Sequence, residues 1–196
     1  MAERFVHHET PMEYFKVMVE GALDHQGIPS SEEATFYVVN LLTGFVGLDR
    51  PEGGTMGDEP LAVRLARALQ SGGVQQREGL RRVGDLSLFV SGFFADSLTR
   101  KLVDVDYYIT LGGYAYGSLG RRDEDAYADV FAELAEKFVS YVDVLAEVSE
   151  RSSVGTNTEL LRLYEKWLRT GSRRNGDLLV QRGIVPNASI GSRFLQ

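Results

Sequence analysis

The stretch 103–118, VDVDYYITLGGYAYGS, sets two carboxylates, four tyrosines and three glycines in the most apolar part of the chain. Residues of these types could do two kinds of chemistry. Two acids two positions apart could chelate a cation. A single acid in apolar surroundings has a raised pKa and can act as a general base. Chelation fails on geometry, because at 100° per residue Asp104 and Asp106 point about 200° apart on a helix and share a face only on an extended strand.

A ligand pocket is the second reading. Just upstream, SLFVSGFFADSL at 87–98 adds Phe89, Phe93 and Phe94 beside Ser91 and Gly92. Aromatic and small residues with a few acids suit an apolar cavity with a handful of orienting polar groups. Its candidate residues are Phe93, Asp104, Tyr107, Tyr108 and Tyr114, with Asp104 as the polar group. The competing expectation is a packed central helix, and it is the stronger one. There Asp104 or Asp106 would serve as the cap, with Asp104 the natural N-cap for a break near Leu102, the G-x-x-x-G spacing at Gly113 and Gly117 would let a neighbouring helix approach, and nearby acids would satisfy the tyrosine hydroxyls. The same small and aromatic surface could also form a homodimer face.

The other catalytic constellations are missing. The chain has no cysteine, which excludes disulfides, thiolate chemistry and iron–sulfur clusters. Its three histidines, His7, His8 and His25, stand in no E-x-x-H or H-E-x-x-H frame, so no metal site is expected. There is no G-x-S-x-G elbow, phosphate-binding loop or dinucleotide fingerprint, so no cofactor is expected. The sequence leans away from an enzyme.

Charge is unevenly spread. Residues 1–150 carry a net −12 and residues 151–196 a net +5, giving −7 in all. That balance disfavours nucleic acid, whose binding depends on neutralising phosphates. The basic end is expected to pack on the acidic body. The alternative is that Arg173 and Arg174, in TGSRRNGDLL, bind an anion or a partner; as a basic loop they would instead cap the preceding helix.

These residues need elements to hold them, and the patterning is helical throughout. Helices are expected at 11–24, 31–47, 60–70, 75–102, 103–120, 123–150, 159–170 and 175–183. Thr10 and Pro11 open the first, and His25 to Pro29 stop it. Residues 49–59, rich in Gly, Asp and Pro, read as a loop. Gly79, Gly84 and Gly92 read as weak points. No apolar run approaches the ~20 residues that span a bilayer, and the N-terminus lacks the pattern of a signal peptide.

The chain is therefore read as one all-α domain, a bundle of about eight helices over 1–196, with a flexible start at 1–10 and a basic helical end at 151–196. The function expected is a noncatalytic cytoplasmic binding or regulatory module acting through protein–protein contacts with a partner or a second copy. The alternative is a small-molecule sensor or small enzyme using the pocket in 89–118.

Overall fold

The computed structural model describes residues 10–46, 60–94, 105–121, 126–152, 163–164, 167, 172–181 and 184. Eight helices run through these residues, with no strand among them: α1 Pro11–Gln26, α2 Glu32–Val46, α3 Leu61–Gln70, α4 Gly73–Phe93, α5 Val105–Gly120, α6 Ala128–Glu136, α7 Phe138–Arg151 and α8 Arg173–Gln181. The architecture is an all-α bundle. The expected loop at 49–59 and the N-terminal segment 1–9 lie outside the described residues.

The start of α1 is fixed by a reciprocal cap. The Glu13 amide donates to Thr10 Oγ1 at 3.2 Å, and the Thr10 amide donates to Glu13 Oε2 at 2.8 Å. Its end is a left-handed Gly27 (φ 65°), after which the Ile28 amide reaches back to the Leu23 carbonyl at 3.0 Å. Between these ends Phe15, Val19, Ala22 and Leu23 form the buried stripe that holds α1 to the core.

α4 is the central helix. It packs along α3, α5 and α7, while α5 lies between α4 and α6. Its C-terminal half feeds an aromatic stack in which Phe45 and Phe89 lie nearly parallel, 4.2 Å apart, with Phe93 stacked on Phe89 and Phe94 edge-on to both. Tyr164 tilts onto Phe94 with centroids 6.2 Å apart, and Trp167 onto Tyr164. The described part of the C-terminal segment thus meets α4 through aromatic side chains.

Three expectations about helices are corrected. The helix expected over 75–102 ends at Phe93, and residues 95–104 lie outside the described set. The helix expected over 123–150 divides at Lys137 into α6 and α7. The i→i−4 bonding still runs through the joint (Lys137 N to Glu133 O, 2.9 Å; Tyr141 N to Lys137 O, 3.0 Å), so the division is a bend and not a loop. Close approach falls on different glycines from those of the G-x-x-x-G pair. Gly113 has nothing within 4 Å of where a Cβ would stand, and Gly117 makes only ordinary contacts. The tight places are Gly79 against Ala68, Gly84 against the Tyr116 ring, Gly92 against Leu145, Gly112 against Ser87 and Phe138, and Gly120 against Ala132. Gly79, Gly84 and Gly92, read as weak points, are all crossing points.

Candidate functional site

Among the described residues, the structure places the candidates of the expected pocket on α4 and α5. Phe93 is fully buried, and its ring contacts are with Phe89 and Phe94, not with the tyrosines. Tyr108 is fully buried on α5, edge-on to Tyr107, and burial pushes its phenol well above the ordinary value. Its hydroxyl has no hydrogen-bond partner among the described residues. Tyr107 has a structural task. Its hydroxyl accepts the Ala62 amide at 3.2 Å, satisfying a first-turn donor of α3, whose Pro60 cap supplies no side-chain acceptor. Tyr114 is 50% exposed on the outer side of α5. Asp104 lies outside the described residues. Arg173 and Arg174 are exposed in the first turn of α8 and form no ion pair among the described residues.

The acid that does meet the tyrosines is Asp85 of α4. Its Oδ1 accepts the Tyr37 hydroxyl at 2.6 Å and the Tyr116 hydroxyl at 2.8 Å, joining α2, α4 and α5. Desolvation raises its pKa, against the opposing effect of the two phenols and Arg81. The signal was in the sequence: Asp85 is the one charged residue in VGDLSLFVSGFF, residues 83–94. A lone acid inside an apolar helix must find donors.

A groove lies between α1 and α2. It encloses about 1010 Å³, with Leu23, Ile28, Pro29 and Val39 among its apolar lining and Met12 and Phe36 beside them. Met12 is 40% exposed and Phe36 59%. Its remaining lining includes Glu13, Lys16, Glu20, Asp24, Glu32 and Glu33. Every carboxylate in residues 10–46 faces this groove, against one lysine. Helix geometry explains the grouping. At 100° per residue Glu13, Glu20 and Asp24 fall within about 40° of one another on α1, and Glu32, Thr35, Phe36 and Val39 share a stripe on α2. Capping accounts for Glu13, and the helix dipole favours Glu32 and Glu33 in the first turn of α2. Neither effect explains a phenylalanine left in water.

The groove's floor is clamped from below. The Ser31 amide donates to Glu133 Oε1 at 3.1 Å, Lys137 Nζ donates to the Pro29 carbonyl at 2.7 Å, and the hydroxyls of Ser30 and Tyr141 bond at 2.7 Å. Glu133 also receives Tyr141 at 3.0 Å and Lys137 at 3.1 Å. At the far end of α1, His25, Gln26 and Arg151 converge on Glu147 of α7. The loop between α1 and α2 is thereby held to α6 and α7 on both sides of the Lys137 bend.

Set against family models, curated proteins and solved structures, the chain matches none of them. The site is read on its own chemistry.

Ser30, Tyr141 and Glu133 form a hydrogen-bonded chain at the groove floor that could suggest an activated serine. A base at Tyr141 would have to be a phenolate, yet burial and the neighbouring Glu133 push this phenol well above its ordinary value. For Glu133 the donors Ser31, Lys137 and Tyr141 outweigh desolvation and hold its pKa below the usual range, which favours the carboxylate. Among the described residues no three His, Asp or Glu side chains gather as a metal would require. No described helix is long and apolar enough to cross a membrane.

Proposed function

We propose that this protein is a noncatalytic helical binding module of the cytoplasm that docks a partner protein in the groove between α1 and α2. The carrying observation is Phe36, a large aromatic side chain 59% exposed in a half-open groove, with Met12 exposed beside it and Leu23, Ile28 and Val39 buried or partly buried. An aromatic so placed is an anchor for an incoming apolar side chain, the kind of residue on which interface energy concentrates. The clamped Pro29–Ser31 loop supports the reading, since a preformed floor lowers the ordering cost of association.

The test is site-specific photo-cross-linking in living cells. A benzophenone side chain at position 36 is expected to trap one recurrent protein, identified by mass spectrometry, or a second copy of the chain. The same group at Val74, which is 67% exposed on α4, is the control. Matching products from the two positions, or none at position 36, would sink the proposal.

A further inference from the structure

The groove also carries information about what it takes. Resting on the docking reading above, we infer that its occupant is a cationic amphipathic helix of a partner protein. Five carboxylates and a single lysine border an apolar strip, and that lysine already lies 3.8 Å from Glu20. Glu13 is committed to the α1 cap. Asp24, Glu32 and Glu33 have no cation beside them among the described ion pairs. A ligand with apolar side chains alone would leave these acids unanswered, and an acidic one would be repelled. A ligand with Lys or Arg flanking an apolar stripe meets both features at once, the arrangement of a helix laid in a groove.

The length fits as well. α1 has 16 residues, so it runs roughly 24 Å at 1.5 Å per residue. A partner helix lying along it would present about four turns, enough for apolar anchors at i, i+3, i+4 and i+7. Met12 at one end and Ile28 at the other mark the apolar limits of the groove. The clamp on Pro29 and Ser30 keeps that part of the lining in place, so the incoming helix meets a preformed surface.

The experiment uses the full chain and three fluorescein-labelled peptides of about four helical turns. Each carries leucines at the i, i+3, i+4 spacing, with every other position Lys, Gln or Glu. Binding is followed by fluorescence anisotropy at low and physiological salt. The Lys peptide is expected to bind about tenfold tighter than the Gln peptide, with the gap narrowing as salt rises. The Glu peptide is expected not to bind. In the combined variant Asp24→Asn, Glu32→Gln and Glu33→Gln the Lys preference should vanish. In Phe36→Ser binding of the Lys and Gln peptides should fall, with the thermal melt unchanged.

Equal binding of the Lys and Gln peptides, both lost in Phe36→Ser, would overturn the cationic inference and leave the groove as a docking site. Lys-peptide binding indifferent to both variants would overturn the inference and the docking reading together. Sedimentation supplies the last arm: a dimer that dissociates in Phe36→Ser would make the occupant a second copy and overturn the inference of a cationic partner helix.

Discussion

The ring of Tyr116 fills the space in which a side chain at Gly84 would stand. The two residues come from α5 and α4, and their contact sets how closely those helices cross. It also aims the Tyr116 hydroxyl at Asp85, the next residue along α4.

Gly84→Ala should therefore destabilise the fold. Alanine in a helix interior normally gains about 1 kcal/mol over glycine, but here the new methyl meets a buried aromatic ring and overpacking of this kind costs about 1–3 kcal/mol. Gly113→Ala, on the same α5 but in open space, should instead stabilise by about 0.5–1 kcal/mol. Urea denaturation of the two variants should give shifts of opposite sign. Shifts of the same sign would contradict the crossing geometry.

Asp85 separates two effects. Asp85→Ala leaves the Tyr37 and Tyr116 hydroxyls without their acceptor and should cost about 1–3 kcal/mol. Asp85→Asn keeps an acceptor oxygen and should cost less. Burial raises the folded pKa of Asp85 above an unfolded value near 3.9, so this group binds more protons folded than unfolded. Its contribution to stability falls as pH rises through the window that opens near 4. The difference between wild type and Asp85→Asn, measured by denaturation from pH 4 to 7, should move against the wild type. A difference independent of pH would contradict the raised pKa.

Glu133 should behave in the opposite way. Its folded pKa is held below the ordinary carboxylate value by Ser31, Lys137 and Tyr141, which outweigh its desolvation. The stability this adds is fully present above an unfolded pKa near 4.3 and is lost as pH falls through the folded pKa. The advantage of wild type over Glu133→Gln should be flat at neutral pH and shrink in acid. Thermal melts of both proteins across that range check it, and an advantage that grew in acid would reverse the assignment.

Gly27 closes α1 at φ 65°, and a Cβ there would meet nothing within 4 Å. Gly27→Ala should still cost roughly 1–2 kcal/mol, because the penalty is conformational and not steric crowding by neighbours. Gly27→Asn should cost less, since asparagine tolerates the left-handed region. Equal melting temperatures for the two variants would count against this account.

The helices were legible because each carries its own local signals. Thr10 and Pro11 announce α1, the Gly27 stop ends it, and the acidic first turn of α2 stands at Glu32 and Glu33. What sequence could not show is which glycine meets which neighbour. Gly84, Gly112, Gly113 and Gly117 look alike in a helical pattern, and only the packing of α4 against α5 and α7 sorts the crossing points from the open ones. The groove was half legible. The stripe of Glu13, Glu20 and Asp24 follows from spacing alone, while Phe36 reads as core in any apolar count and is exposed because α2 turns that side outward. The Lys137 bend has no proline or glycine to mark it. Its ammonium reaches back to Pro29, a partner 108 positions away.

That separation sets an order of events during synthesis. The groove belongs to the first two helices, yet Ser31 waits for Glu133, 102 residues downstream, before its loop is pinned. At translation rates of roughly 5–20 residues per second, α1 and α2 leave the ribosome roughly 5–20 s before their clamp does. Over that interval Phe36 and its ring of acids are present in the nascent chain without a shaped floor. The pinned loop therefore arrives with α6 and α7, and docking of the proposed kind would report that the bundle has closed.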